Sequence, residues 1–189
     1  MSLELFLLIT TNFAAIGLLP RLFFRRNGRL NARWWLTAAP FLGCYLLQVA
    51  AFAGWIEPSG LAPAAPLAAL AVVLSMGSTA LIGLAVGSHR VPVALWHQAD
   101  DAPQQLVTWG AYRRIRHPFY SAFLLALGAG LLLVPHPATL LTFAYGLAVL
   151  TVTARREERR LRGSAFGQQY RAYTRGTGRF LPKLRKAPA

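Results

Sequence analysis

Two short segments of this 189-residue chain carry side chains that could do chemistry. The first ends in Arg116-His117-Pro118, where a guanidinium and an imidazole directly precede a proline. Proline suits the first position of a helix, because the N–H that it lacks has no partner there. The positive end of such a helix, beside these two side chains, is suited to bind a carboxylate or a phosphate. A basic boundary at the lipid headgroups is the alternative explanation for the same residues.

The second segment places an acidic pair, Glu157 and Glu158, within a run of arginines. Charge balance on a solvated helix would explain the pair without any function. A functional explanation follows from topology, because the two apolar stretches between the segments are separated only by residues 135–137, Pro-His-Pro. A tight helical hairpin there would bring both segments to one membrane face, with the carboxylates near Arg116 and His117. The pattern therefore predicts a site for a zwitterionic ligand with one carboxylate and one amine.

The elements that must position these segments are apolar stretches of membrane-helix length. Hydrophobic residues make up 55% of the chain and charged residues 14%, whereas a soluble domain has roughly 25% charged residues. This composition excludes disorder, and the single cysteine, Cys44, excludes a disulfide scaffold. It predicts an all-α integral membrane protein with five transmembrane helices, the last two forming the tight hairpin. The five stretches are residues 3–20, 35–56, 65–87, 119–134 and 138–154.

The basic residues indicate how these helices are oriented. The chain has 20 Lys and Arg against 6 Asp and Glu, a net charge of +14. All 20 fall between the first two stretches, before the fourth stretch, or after the fifth. The positive-inside rule then places the N-terminus outside and the C-terminus in the cytoplasm, with both chemical segments on the cytoplasmic face. Topology and attraction to anionic lipid therefore account for the net charge, and we predict no nucleic-acid partner.

Polar and small residues inside the stretches predict packing rather than transport. Gly83 and Gly87 form a GxxxG step, which is typical of close helix packing within a chain or between subunits. Asn12, Gln48 and Cys44 are mild polar interruptions of the kind that is usually structural. No charged residue lies near the middle of a stretch and no repeat is visible, which disfavours a transporter. The oligomeric state stays open.

Together the two chemical segments resemble the isoprenylcysteine carboxyl methyltransferase (ICMT) family of integral-membrane enzymes, which use S-adenosylmethionine. The first segment, Leu106-Val-Thr-Trp-Gly-Ala-Tyr-Arg-Arg-Ile-Arg-His-Pro-Phe-Tyr120, is similar to the family signature Leu-Val-Thr-x-Gly-Pro-Tyr-Arg-x-x-Arg-His-Pro-x-Tyr. The second is similar to the family ending Glu-Glu … Phe-Gly-x-x-Tyr-x-x-Tyr … Arg-Phe-x-Pro, and the match covers about residues 90–182. Ala111 and Thr177-Gly178 depart from the pattern, because the family usually has Pro and Val-Pro there.

The resemblance implies a cofactor pocket and a reaction, with no metal. Within that pocket, His117 and the start of the fourth helix would suit the carboxylate of the cofactor. The glutamates would suit its amine or ribose hydroxyls, and the tyrosines its adenine. Arg116 is the first candidate for a catalytic residue that orients a carboxylate acceptor, and Arg175 is the second. The residues implied for the S-adenosylmethionine pocket are Tyr112, Arg116, His117, Pro118, Tyr120, Glu157, Glu158, Tyr170, Tyr173 and Arg179.

The chain then divides into residues 1–88, with three N-terminal transmembrane helices, and residues 89–189, a methyltransferase core. We expect a lipophilic acceptor, either a prenylcysteine-like carboxylate or a thiol, to enter between the helices while the cofactor enters from the cytosol. The related phospholipid N-methyltransferases share much of the pattern, so an ethanolamine headgroup is the alternative acceptor. A non-catalytic membrane scaffold or lipid-binding protein is the alternative of a different class.

Overall fold

The computed structural model of the chain describes residues 1–18, 32–58, 65–88 and 106–183. These residues contain helices and no β-strand, which confirms the predicted all-α class. The basic loop at residues 19–31 lies outside the described ranges, and the orientation of the termini stays a prediction. The elements are α1 (Leu3–Leu18), α2 (Ala32–Phe52), α3 (Ala65–Gly87), a 3-10 helix (Gly110–Arg113), α4 (Pro118–Leu133), α5 (Pro137–Arg162) and α6 (Gly167–Gly176).

Three of the described helices are long and apolar enough to cross a membrane, which supports a multi-pass membrane protein. They are α3, α5 and the part of α2 from residue 35 to residue 52. The helices α1 and α4 are also apolar, but each has 16 residues. Such a helix rises about 24 Å, whereas the hydrocarbon core of a bilayer is about 30 Å thick. The count of five spans therefore stays a prediction.

The helix α5 extends well beyond the predicted apolar stretch. It begins at Pro137 and ends at Arg162, where Gly163 caps it, so its last two turns consist largely of arginine and glutamate. Both residue types are good helix formers, and nothing in this segment interrupts the helix. The acidic pair therefore lies on a helix that is continuous with a membrane segment. Pro118 is the first residue of α4, which is the helix position predicted for this proline.

The helices pack around a core in which α3 and α4 contact each other most extensively. The helix α2 packs on α5, α4 packs on α5, and α1 packs on α3. Gly130 and Gly146 lie at the close contacts: a Cβ at Gly130 would be 2.6 Å from Cys44 Sγ, and a Cβ at Gly146 would overlap Leu127. By contrast, a Cβ at either glycine of the predicted GxxxG step would meet nothing within 4 Å in the described part of the chain. The close packing within the chain is therefore at other glycines.

Two buried amides join helices across this core, as the polar interruptions in the sequence indicated. Asn12 Nδ2 in α1 donates to Ser78 Oγ at 3.0 Å and to Thr79 Oγ1 at 2.9 Å in α3. Gln48 Nε2 in α2 donates to the Gly130 carbonyl of α4 at 2.9 Å. Polar contacts of this kind hold helices together where water is excluded. The second contact holds α4, the helix whose start carries the first chemical segment.

Candidate functional site

A buried carboxylate, Glu158 near the end of α5, joins three segments of the chain. Its side chain is 1% exposed. It accepts hydrogen bonds from Arg116 Nε at 3.1 Å, from Arg179 Nε at 2.9 Å and from Arg179 Nη2 at 2.8 Å. Arg162 Nη2 lies 3.6 Å from its Oε2 atom. These charged donors compensate the loss of hydration of a buried carboxylate. We call Arg116, His117, Glu157, Glu158 and Arg179 the charged cluster.

The imidazole of His117 lies between the two carboxylates of the acidic pair. Its Nδ1 atom is 3.4 Å from Glu157 Oε2, and its Nε2 atom is 3.4 Å from Glu158 Oε1. The ring stacks on Tyr120 with the centroids 5.3 Å apart and the planes at 6°. Tyr120 Oη in turn donates to Glu157 Oε1 at 2.6 Å. The start of α4 and the end of α5 therefore meet through side chains, as the topology predicted.

A short parallel backbone pairing ties the segment before α4 to the segment after α6. The N–H of Arg116 donates to the Gly178 carbonyl at 2.8 Å, and the N–H of His117 donates to the Arg179 carbonyl at 3.1 Å. In the other direction, the Gly178 N–H donates to the Arg114 carbonyl at 3.1 Å. One guanidinium N–H of Arg116 also donates to the Thr177 carbonyl. This pairing holds the charged side chains of both segments in one place.

Both departures from the family signature use the backbone N–H that proline lacks. The N–H of Ala111 donates to Ser88 Oγ at 3.1 Å, and the N–H of Gly178 makes the bond to Arg114. Ser88 lies directly after α3 and is buried. Gly110 has a φ of +58°, and a Cβ there would overlap Ser88 Oγ, so the 3-10 helix lies tightly against the end of α3. The sequence carried no motif at Ser88, only a small residue after a helix.

Three of the predicted tyrosines form an aromatic group beside the charged cluster. Tyr173 Oη donates to the Tyr112 carbonyl at 2.6 Å, and the rings of Tyr170 and Tyr173 lie 6.0 Å apart. Tyr170 is fully buried, and its hydroxyl has no hydrogen-bond partner among the described residues. Burial raises the pKa of Tyr170 to about 12, so this hydroxyl keeps its proton at neutral pH. It can therefore donate to a ligand.

One predicted residue stands apart from the others. Arg175 is exposed in the last turn of α6, and its side chain takes no part in the contacts of the charged cluster. Arg179, four residues later, lies past the end of that helix and reaches Glu158. Arg116 is 10% exposed and uses its Nε and Nη1 atoms, whereas its Nη2 atom donates no hydrogen bond to the described residues and is therefore suited to a ligand.

The environment of His117 predicts a pH-dependent stability. Burial lowers the pKa of His117, but the charges and contacts of Glu157 and Glu158 outweigh burial and raise the pKa above its ordinary value. Protonated His117 therefore stabilises the folded protein. This stabilisation is complete below the pKa of the unfolded chain and is lost as the pH rises through the folded value. We expect the Tm difference between wild type and His117→Gln, measured by tryptophan fluorescence in detergent, to shrink with rising pH. A constant difference between about pH 5.5 and about pH 9 would contradict this prediction.

A pocket of about 450 Å³ borders the charged cluster on the outer side of α5. Arginines dominate its lining, and Glu158 and Arg179 belong to both the pocket and the cluster. Its lining residues are Val152, Arg155, Glu158, Arg159, Arg162 and Arg179.

Residues 85–163 match the model of the isoprenylcysteine carboxyl methyltransferase (ICMT) family. The match confirms the family resemblance that the motifs predicted, and it covers fewer than half of the residues of the chain. It includes Ser88, the start of α4 and the acidic pair, whereas Tyr170, Tyr173 and Arg179 lie beyond it. Comparison with curated proteins and with solved structures found no match. The family domain and the apolar helices together indicate a membrane methyltransferase.

Proposed function

We propose that the protein is an integral-membrane methyltransferase that moves the methyl group of S-adenosylmethionine to a lipophilic acceptor. The observation that carries the proposal is the charged cluster, in which the two motif segments contact each other through His117, Glu157 and Glu158. The family domain spans both of these contacts. Five membrane spans, an outer N-terminus and a cytoplasmic C-terminus are part of the proposal, and they place the cluster at the cytoplasmic interface.

The residues present fit the cofactor. The buried hydroxyl of Tyr170, which has no partner among the described residues, can donate to a polar group of the ligand. Glu157 is 12% exposed and is therefore more accessible than Glu158 to an amine or a ribose hydroxyl. Glu158 has a different role, because it holds Arg116 and Arg179 in place. The rings of the aromatic group can pack against adenine.

Positioning and water exclusion are the main tasks of the chain. When bound, S-adenosylmethionine supplies a methyl group already activated by the sulfonium. The residues of the cluster then have to orient the reactants and exclude water. The free N–H groups of Arg116 can orient a carboxylate acceptor.

The contacts of His117 favour a carboxylate acceptor over a thiol or an amine. A carboxylate needs no base, whereas a thiol or an ammonium has to lose a proton before it can accept a methyl group. His117 is the residue of the cluster that could take this proton. Its two ring nitrogens each lie 3.4 Å from a carboxylate oxygen of the acidic pair, so both nitrogens already face groups of the chain and not an acceptor. A prenylcysteine-like carboxylate is therefore the preferred acceptor.

Two measurements on the purified full chain test the proposal. Incubation with methyl-labelled S-adenosylmethionine, lipid extract and a prenylcysteine analogue should yield label in a base-labile ester. Label in methylated ethanolamine headgroups would overturn the carboxylate acceptor and support phospholipid N-methylation. Calorimetry with S-adenosylhomocysteine should detect binding that His117→Ala weakens and Arg171→Ala, on the exposed face of α6, leaves unchanged. Folded wild-type protein that binds none would overturn the enzyme function and favour a scaffold.

A further inference from the structure

The helix α5 has one exposed face that changes from apolar to basic along its length. Residues spaced three and four apart lie on the same face of a helix. The first part of this face is apolar, the last two turns carry only arginine, and every residue on it is exposed. We call it the α5 face; its residues are Leu141, Tyr145, Ala148, Val152, Arg155, Arg159 and Arg162.

The basic end of the α5 face lies along an open pocket. Val152, Arg155, Arg159 and Arg162 line the 450 Å³ pocket together with Glu158 and Arg179. Four arginines and one glutamate therefore belong to its lining. Both oxygens of that carboxylate already accept hydrogen bonds from Arg179, and one also accepts from Arg116.

The positive charge in this pocket is in excess. Among residues 106–183, the only carboxylates are Glu157 and Glu158. Within the described part of the chain, no ion pair involves Arg155 or Arg159. Guanidinium groups bind phosphate through pairs of N–H donors, and a volume of this size is typical of small-molecule sites. The pocket is therefore suited to an anion.

The lining and the position of the pocket together distinguish between three possible ligands: the cofactor, free phosphate and a lipid. S-adenosylmethionine carries a sulfonium and an ammonium against one carboxylate, so its net charge is positive and a lining dominated by arginine disfavours it. Val152 is the one apolar residue that lines the pocket. A free phosphate would leave the exposed apolar part of the α5 face, from Leu141 to Val152, without a role. An amphiphile matches both ends, because its phosphate can lie among the arginines while its acyl chains follow the apolar part of the face. The arginines also lie directly beyond the apolar part of a membrane segment, where headgroups are expected.

We propose that this pocket binds the phosphate of one anionic membrane phospholipid, with the acyl chains along the α5 face. This is a defined site on one face of a helix, beyond the general attraction of a basic protein to anionic membranes. The bound lipid is not a reactant in methyl transfer, and its binding does not depend on the identity of the acceptor. Because Arg179 and Glu158 belong to both sites, a bound lipid would also contact the charged cluster and stabilise it.

A matched pair of double variants tests the site. R155Q/R159Q removes two arginines of the pocket, whereas R156Q/R160Q removes the same charge from another exposed face of the same helix. The full-length variants are titrated in detergent micelles with phosphatidylglycerol or with phosphatidylcholine, at one ionic strength. Lipid adducts are counted by native mass spectrometry and stabilisation is measured by Tm.

We expect wild type and R156Q/R160Q to retain one phosphatidylglycerol and to gain in Tm. In R155Q/R159Q we expect the affinity to fall by about tenfold more than in the control. Equal losses in the two double variants would show diffuse attraction and overturn the site. Equal binding of phosphatidylcholine by wild type would overturn the requirement for an anionic lipid. Competition by inorganic phosphate as effective as that by phosphatidylglycerol would overturn the lipid as occupant.

Discussion

Glu158→Gln is expected to destabilise the protein by about 3–5 kcal/mol. The substitution removes the one negative charge that Arg116, Arg162 and Arg179 share, and it leaves these guanidinium groups close together without compensation. The three segments that Glu158 joins would then repel one another. Denaturant unfolding of wild type and variant in mixed micelles gives the difference in unfolding free energy. Binding of S-adenosylhomocysteine should be lost in the same variant, because the motif segments separate.

The neighbouring Glu157→Gln is the matched control for this experiment. It makes the same chemical change one residue earlier, at a side chain that contacts Tyr120 and His117 and no arginine of the cluster. Glutamine keeps an oxygen that can accept the tyrosine hydrogen bond, so the loss should be about 1–2 kcal/mol. A loss for Glu157→Gln equal to or larger than that for Glu158→Gln would contradict the role of Glu158 as the link between the segments.

Gly178→Ala is expected to have the second largest effect. A Cβ at this position would overlap the carbonyl oxygen of Leu181 and crowd its carbon, and a backbone atom cannot move aside as a flexible side chain can. The backbone must shift, at a cost of about 1–3 kcal/mol or more. The shift would break the pairing with Arg114 and Arg116 and displace His117 from the carboxylates. We expect methyl transfer, or S-adenosylhomocysteine affinity, to fall by about tenfold or more.

Gly176→Ala provides the control, because a Cβ there would meet nothing within 4 Å. This glycine ends α6, and alanine at a helical position is neutral or slightly stabilising. Gly178→Pro introduces the residue that the family usually has and should also fail, since proline cannot donate to the Arg114 carbonyl. A Gly178→Pro variant as active as wild type would show that the pairing does not depend on this hydrogen bond.

The sequence predicted the parts of the structure that local chemistry determines. Pro118 indicated the start of α4, and the short connection before α5 indicated that the acidic pair would reach His117. The helical propensity of arginine and glutamate explains why α5 continues to Arg162. These features depend on residues that are close in the chain or on one tight turn.

The roles of individual charges could not be predicted in the same way. The resemblance implied that Glu158 belongs to the cofactor pocket, and this stays a prediction. Its contacts with arginines from before α4 and after α6 could not be predicted, because they depend on tertiary packing. Arg175 and Arg179 were both predicted to belong to the site, Arg175 as a candidate to orient the acceptor and Arg179 as part of the cofactor pocket. One lies on the exposed face of α6 and the other follows the end of that helix, and only the path of the chain separates them. Ser88 carried no signal, because its partner is a backbone N–H 23 residues later.

Because Ser88 holds the 3-10 helix, the chain cannot be cut after residue 88 without loss of this contact. The predicted boundary between residues 1–88 and 89–189 passes through this contact, and it also separates α3 from α4, the helices that pack most extensively. A fragment that begins after residue 88 would lack the side chain that holds the 3-10 helix and would expose the face of α4 that α3 covers. The helix α3 therefore supports the segment that precedes α4, through Ser88 and the 3-10 helix.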